Sequence, residues 1–110
     1  MQSVTRHLNP VVSGTGTGYS TDVYALNNAE SVGFGVEWPA GISAGEYTLE
    51  FIPSRDWAGT ADTAIGPFAA PSAAHYASEA IGVAGKFCRI RRTVGLTGTG
   101  TPVLHLFIRQ

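Results

Sequence analysis

The chain has 110 residues, of which 14% are charged, and its formal net charge is −1 at pH 7. This length fits a single domain over residues 1–110, and the near-neutral charge gives no reason to expect a nucleic-acid partner. Because an average soluble domain has about 25% charged residues, this surface is poorly protected against self-association. We therefore expect part of it to be buried against copies of the chain or in a larger assembly.

The N-terminal half predicts four strands in chain order. Residues 5–13 form the first candidate, which an Asn-Pro pair breaks or places at a sheet edge, and residues 22–26 form a short second one. In the next two segments, 31–38 and 46–53, apolar residues alternate with small or polar ones, so each strand has one apolar face. These apolar faces consist of Val32, Phe34, Val36 and Trp38, and of Tyr47, Leu49 and Phe51.

The C-terminal half is less regular. Residues 57–84 leave alternatives open, with a strand near 60–65 and either a short helix or another strand over 71–80. Alternation returns in "KFCRIRRTV" and "TPVLHLFIRQ", residues 86–94 and 101–110. Because a glycine–threonine tip joins these two segments, the sequence predicts a long β-hairpin.

The glycine-rich stretch "SGTGTGYST", residues 13–21, raises the question of phosphate binding. A P-loop requires a lysine after its second glycine, and a dinucleotide-binding turn requires a third glycine where Tyr19 stands. Neither pattern is present. A similar glycine–threonine run recurs at residues 97–102, and glycine supplies the positive φ angles of turns. We therefore interpret both runs as turns.

The spacing of these elements indicates the fold class. Several short strands separated by glycine-rich turns, at spacings of about 8–12 residues, are typical of a sandwich or a jelly roll. One apolar face per strand fits two packed sheets, because strands of a parallel α/β sheet are apolar on both faces. The sequence predicts an all-β fold, an antiparallel β-sandwich or jelly-roll-like domain of about seven to eight short strands.

No group of residues has a catalytic pattern. His7, His75 and His105 are far apart in the sequence and lack a Cys, Asp or Glu at metal-ligand spacing, and the G-x-S-x-G nucleophile elbow does not occur. We therefore expect no catalytic residues, no cofactor and no metal. The lone Cys88 excludes an internal disulfide and fits a reducing compartment. We also expect no secretory signal and no membrane partner.

Four residues are candidates for contacts with other proteins. They are Arg89, Arg91, Arg92 and Trp57. Acidic residues such as Glu37 or Glu50 are expected to pair with the arginines, either across strands or between subunits. Of the two tryptophans, Trp57 is the better candidate for an exposed aromatic side chain, but the interpretation that the sequence favours is a tryptophan that closes one end of the sandwich. A nucleic-acid site would require more basic residues beside exposed aromatics.

Three segments carry a resemblance to a known class of proteins. They are "GEYTLEFIPSRDWAGT", "IGVAGKFCRIRRTV" and "PVLHLFIRQ", residues 45–60, 81–94 and 102–110. This succession of a strand, a D-x-x-G-type loop, a G-K-[FY]-x-R-x-R strand and a closing strand resembles small accessory virion proteins of tailed bacteriophages. The resemblance implies a capsid decoration, cement or head-to-tail accessory protein that is multimeric, with a homotrimer expected, and it implies no catalytic residues.

Composition and resemblance lead to the same expectation. We expect a non-enzymatic virion structural protein, assembled in the host cytoplasm, that binds the major capsid protein or another virion protein and stabilises the particle by subunit–subunit contacts. The alternative is a carbohydrate-binding or host-adhesion β-sandwich module displayed on a virion or cell surface. Trp57, Tyr76 and the glycine–threonine loops would then be the contacts.

Overall fold

The computed structural model describes residues 5–26, 29–71, 74–80 and 87–109, with the backbone alone for residues 63–64 and 74–80. All regular structure in these ranges is β-strand, and they contain no helix that could cross a lipid bilayer. The described strands are β1 Thr5–Leu8, β2 Gly18–Tyr19, β3 Tyr24–Ala25, β4 Ser31–Glu37, β5 Ile42–Ile52, β6 Asp62–Ala69, β7 Ala74–Ala80, β8 Phe87–Gly98 and β9 Val103–Arg109.

The strands form two antiparallel sheets that enclose one core. The four-stranded sheet has the order β1-β9-β4-β7, and the five-stranded sheet has the order β2-β8-β5-β6 with β3 also pairing β8. Because β2 and β3 both pair with β8, they act as one interrupted edge strand, which leaves eight strand positions. This order is that of a jelly roll. The predicted antiparallel β-sandwich is therefore confirmed, although β5 and β8 are long strands of 11 and 12 residues.

The predicted C-terminal hairpin is wrong. β8 pairs with β5, whereas β9 pairs with β4 and β1, so the two strands belong to different sheets. The turn between them contains Gly98 and Gly100 with φ angles of 110° and 112°, which favour glycine. The Thr99 N–H donates to the Gly41 carbonyl at 3.0 Å. Alternation shows that a strand has one buried apolar face. It does not show whether two such strands pair side by side in one sheet or face each other across the core.

Two open interpretations are resolved by the backbone. Residues 74–80, left open between helix and strand, form β7 and pair with β4 along its whole length. Residues 13–17 have no regular structure, and Gly14 has a φ angle of 70°. The strand β2 follows this segment, whereas a phosphate-binding loop needs a helix whose first N–H groups are free. The interpretation as a turn is confirmed for residues 13–17, whereas Gly18 and Tyr19 of the same run form β2.

The core is built from the apolar faces that the alternation predicts. Val32, Phe34 and Val36 of β4 are fully buried against the opposite sheet, where Leu49 of β5 and Ile90 of β8 are also fully buried. Each such side chain stabilises the fold by about 1.5–3 kcal/mol. The inward face of β8 carries one exception to this apolar pattern, a buried arginine described below.

Candidate interaction site

The arginines of β8 lie on both faces of their strand. Side chains alternate along a strand, so Arg89 and Arg91 point away from the core, whereas Cys88, Ile90 and Arg92 point into it. The predicted contact residues are thereby divided between the outer surface of the five-stranded sheet and the interior.

Arg89 forms a buried ion pair on this outer surface. Its Nε donates to Glu50 Oε1 at 3.0 Å, and its Nη1 donates to the Trp57 carbonyl oxygen at 2.8 Å. Glu50 lies directly opposite Arg89 in the β5–β8 ladder, and both residues are buried. The expected cross-strand pair therefore forms with Glu50. Glu37 belongs to the other sheet, so within one chain it is not a cross-strand partner of Arg89.

Tyr19 covers this ion pair. The Arg89 guanidinium carbon lies 4.0 Å from the centre of the Tyr19 ring, and that of Arg91 lies 5.7 Å away. Tyr19 is directly opposite Arg91 in the β2–β8 ladder and remains 48% exposed. Arg91 Nη1 lies 3.6 Å from Glu50 Oε2, and its side chain is 49% exposed. Cation–π contacts thus hold an exposed ring in one orientation on two charged neighbours.

Trp57 lies beside this cluster in the loop between β5 and β6. Its side chain is 39% exposed, so it does not close the end of the sandwich. The indole Nε1–H donates to the Thr60 carbonyl at 3.0 Å, and a Cβ on Gly59 would come within 2.8 Å of the indole. The indole is therefore fixed by its own loop. We define Tyr19, Glu50, Trp57, Arg89 and Arg91 as the Tyr19 patch.

Arg92 is not part of this surface. It is 1% exposed, and its Nε donates to the Gly16 carbonyl at 2.6 Å. Nη1 donates to the Tyr47 hydroxyl at 3.1 Å and to the Val12 carbonyl at 3.4 Å, while Nη2 donates to the Ser13 carbonyl at 3.0 Å. The expectation that Arg92 makes intermolecular contacts is corrected, because its side chain is used to hold the glycine-rich loop.

A second polar cluster lies on the four-stranded sheet. His7 Nε2 and His105 Nδ1 are 2.9 Å apart, and the Asn9 side-chain amide lies 3.3 Å from the same His105 nitrogen. His105 Nε2 lies 3.3 Å from Glu37 Oε2, without the alignment of a hydrogen bond. The pairing of β1 with β9 thus joins two histidines that are 98 positions apart.

These histidines do not form a metal site with their neighbours. Among the residues that the structure describes, no three His, Cys, Asp or Glu side chains are placed to hold a metal ion. His75 and Tyr76 lie on β7, where the backbone alone is described. His105 accepts a hydrogen bond from the Asn9 side-chain amide, which fits a structural role for the cluster of His7, Asn9 and His105.

Sequence reasoning misses Tyr19 and Tyr47. Tyr19 stands at the end of a run interpreted as a turn, and Tyr47 belongs to an apolar face. A signal for Tyr19 does exist, because it is an isolated aromatic residue after a glycine run, and such a residue must find a surface against which to pack. No signal in the sequence reveals that Tyr47 meets an arginine, since the two strands adopt their register only in the fold.

Comparison of the chain with protein-family models, with curated proteins and with solved structures finds no match. The class of protein is therefore defined by fold and surface alone. It is an antiparallel jelly-roll sandwich with an aromatic and arginine-rich patch on one outer face. Because jelly rolls serve as capsid proteins, lectins and cupins, the function has to be argued from the surface.

Proposed function

We propose that this chain is a non-enzymatic virion structural protein of the capsid decoration or cement type. Its role is to stabilise the particle through contacts between subunits. The observation that carries the proposal is the Tyr19 patch, in which the exposed Tyr19 ring covers a buried arginine–glutamate pair and the same arginine donates to the carbonyl of the exposed Trp57. Tyrosine, tryptophan and arginine are the residues most enriched at the energetic centres of protein interfaces.

The patch is rigid before any partner binds. Tyr19 is held by Arg89, and Trp57 is held by Thr60 and by the Arg89 hydrogen bond to its carbonyl. Fixing a free side chain at an interface costs about 0.5–1.5 kcal/mol. Because these rings are already fixed, association avoids most of this cost for both of them.

The partner we propose for the patch is a second copy of the chain. The patch contains two arginines and one glutamate, and Arg91 is half-exposed. The four-stranded sheet and the residue before β4 present two exposed carboxylates, Glu37 and Glu30, whose side chains are 60% and 67% accessible beside His105 and Arg109. Contact between opposite sheets of neighbouring copies would bring these charges together. Such a head-to-tail contact gives the expected trimer when three copies close into a ring, and an open filament when the rotation between copies does not close.

Composition and resemblance support the virion setting. The chain has a single lysine, Lys86, and a charged fraction of 14%, which suits a surface that is covered in an assembly. The likeness of residues 45–60, 81–94 and 102–110 to small accessory proteins of tailed phages points to the same setting. The proposed binding partner on the particle is the major capsid protein or another virion protein.

A charge swap tests the head-to-tail contact. Sedimentation of the purified chain over a range of concentrations should show a concentration-dependent oligomer. Arg91→Glu and Glu37→Arg should each weaken association by tenfold or more, and the double variant should regain much of it. Tyr19→Ser should weaken association, whereas Val11→Ser serves as the matched control because Val11 is exposed outside both surfaces. A monomer at all concentrations would contradict the contact.

The virion setting needs its own test. Antibodies against the chain should label particles purified from the producing cells, as seen by electron microscopy, and the label should disappear when the gene is deleted. Particles lacking the protein should release their contents at lower temperature or osmotic stress. Unlabelled particles of unchanged stability would overturn the virion assignment while leaving self-association to stand or fall by sedimentation.

One observation favours a second candidate function, carbohydrate binding. The Trp57 indole is exposed and rigid, as is required of a ring on which a sugar stacks. Because Trp38 is buried, sugar-dependent quenching of tryptophan fluorescence should come from Trp57 alone and disappear in Trp57→Phe. Saturable quenching of this kind, in a chain that does not self-associate, would favour the carbohydrate-binding module.

A further inference from the structure

A cavity of about 150 Å³ lies at one end of the sandwich, on the inward side of β8. It is bounded by the loop over residues 10–15 and by the turn over residues 100–102, and Arg92 and Tyr47 form part of its wall. None of these residues belongs to the Tyr19 patch. The cavity is therefore a separate feature, and what it binds has to be argued from its own lining.

The guanidinium of Arg92 gives this wall a positive charge without a matching carboxylate. Among the described residues, the arginines that lie within 4 Å of a carboxylate are Arg89, Arg91 and Arg109. The partners of Arg92 are all neutral, namely three carbonyl groups and one hydroxyl group. Removing an ion from water is costly unless an opposite charge compensates it. An anion inside the cavity would supply that compensation.

Two hydrogen-bond donors at this wall have no acceptor in the part of the chain that the structure describes. The four hydrogen bonds of Arg92 use four of its five N–H groups, so one Nη2 proton has no acceptor among the described residues. The Tyr47 oxygen accepts a bond from Arg92 Nη1, which leaves the hydroxyl proton available to donate. A carboxylate accepts two such bonds at once, and Arg–carboxylate hydrogen bonds are the strong ones.

The remainder of the lining is apolar, with hydroxyl groups at the edge. Leu96 and Leu104 are partly or fully buried beside Pro102, and Thr15 and Thr101 are exposed. A ligand with one anionic head group and a short apolar tail would match this distribution of polar and apolar lining residues. The volume limits the tail, because a cavity of about 150 Å³ holds a molecule of the size of benzene.

We propose that this cavity binds a small aliphatic monocarboxylate of about three to five carbon atoms. Its carboxylate accepts hydrogen bonds from Arg92 and from the Tyr47 hydroxyl, and its tail packs against Leu96 and Leu104. The ligand thus neutralises the buried arginine and ties the loop over residues 10–15 to the β8–β9 turn. This proposal does not depend on the proposed self-association, because neither Arg92 nor Tyr47 belongs to the Tyr19 patch.

Titration of the full chain, labelled with ¹⁵N, with sodium butyrate at constant ionic strength tests the site by NMR. We expect saturable shifts of the amide signals of residues 96–104 and 12–16. Butyramide has the same shape without the charge and should bind at least about tenfold more weakly, which corresponds to about 1.4 kcal/mol. Equal binding of butyrate and butyramide, no saturable shift, or saturation by phosphate but not by butyrate would each overturn the proposal.

Variants at the wall separate binding from folding. Because Arg92 supports the loop, its replacement can unfold the chain, and milder changes are needed. Tyr47→Phe should weaken butyrate binding several-fold, and Thr101→Phe should abolish it by filling the entrance. Val94→Phe is the matched control, since Val94 is exposed and does not line the cavity. Undiminished binding by a folded Thr101→Phe protein would contradict the location of the site.

Discussion

Arg89 and Arg92 lie on the same strand and are both buried, yet the protein compensates their charges in different ways. Arg89 faces outward and meets a carboxylate of the neighbouring strand at 3.0 Å, under the ring of Tyr19. Arg92 faces inward and donates to carbonyl groups of the glycine-rich loop and to Tyr47. The first arginine fixes aromatic side chains at a surface, and the second fixes a segment of backbone.

The difference shows that burial does not by itself define what an arginine does. The Arg89–Glu50 pair is locally neutral, so its surroundings can form a contact surface without an unpaired buried ion. Arg92 has only neutral partners among the described residues, so no carboxylate compensates it beside the cavity that it lines. The same residue type therefore supports the proposed contact surface on one face and the proposed anion site on the other.

The largest effect should follow from removing the outward arginine. Arg89→Met leaves the Glu50 carboxylate buried with only the longer contact to Arg91, and should lower the free energy of unfolding by about 3–5 kcal/mol. Urea denaturation measures the loss. The double variant with Glu50→Leu should recover most of the stability, because no ion is then left uncompensated. Strictly additive losses would contradict the role of the ion pair.

Removing the inward arginine should lower the free energy of unfolding somewhat less, and its effect should be seen in the glycine-rich loop. Arg92→Met leaves the carbonyls of Val12, Ser13 and Gly16 without their donor, and we expect a loss of about 2–3 kcal/mol because water reaches part of this loop. Hydrogen exchange at the Leu96 amide, which donates to the Thr15 carbonyl at 2.7 Å, should accelerate.

The Arg92→Met variant also tests whether the two arginines are electrostatically independent of each other. Adding Glu50→Leu to Arg92→Met should give no recovery, since Glu50 lies on the other face of the sheet from Arg92. Recovery in this combination would mean that the two arginines share one electrostatic environment.

The inward face can also be probed through Cys88. Burial raises the pKa of its thiol from 9.0 to about 12, with a smaller opposing effect of Arg6. Above pH 9 the unfolded chain loses the thiol proton while the folded chain retains it, so stability falls as the pH rises. Between pH 8 and pH 10 we expect a loss of about 1.4 kcal/mol in denaturant unfolding. Cys88→Ala should remove this part of the pH dependence of the unfolding free energy. An unchanged pH dependence would contradict the burial of the thiol.

The smallest effect should come from the ring above Arg89. Tyr19→Leu keeps an apolar side chain but removes the cation–π contact at 4.0 Å, and should cost about 0.5–1 kcal/mol at this exposed position. Thermal unfolding measures the change. The Arg89→Met background supplies the control, because there the same substitution should have no effect on this contact. An equal loss in both backgrounds would assign the effect to packing alone.

Much of the fold is predictable because side chains alternate along strands. The alternation in residues 31–38 and 46–53 correctly predicts the apolar core positions, although Thr48 and Glu50 of the polar face are buried as well. It also places Arg92 on the inward face of its strand together with Ile90. The assignment of Arg92 to intermolecular contacts followed its charge instead of its position. Glu50 was predictable as a partner for the same reason, since its strand has one polar face.

Pairing partners and loops were harder to predict. Alternation does not distinguish β9 as a neighbour of β8 from β9 as a strand of the opposite sheet, and the true arrangement depends on pairing with β1 and β4. The glycine-rich loop takes its shape from Arg92, which lies 76 positions beyond Gly16. Tyr19 joins the patch, and Tyr47 joins the cavity, only once that distant strand is in place.

The bond between Arg92 and the loop near the N-terminus has a consequence for synthesis on the ribosome. The loop is translated well before the side chain that orders it, which lies 76 positions beyond Gly16, and β1 pairs only after the still later β9 has been made. Contacts this remote in sequence slow folding and leave early segments exposed meanwhile. The loop and β1 therefore lack their native partners until β8 and β9 have been synthesised, and the sandwich cannot close before then.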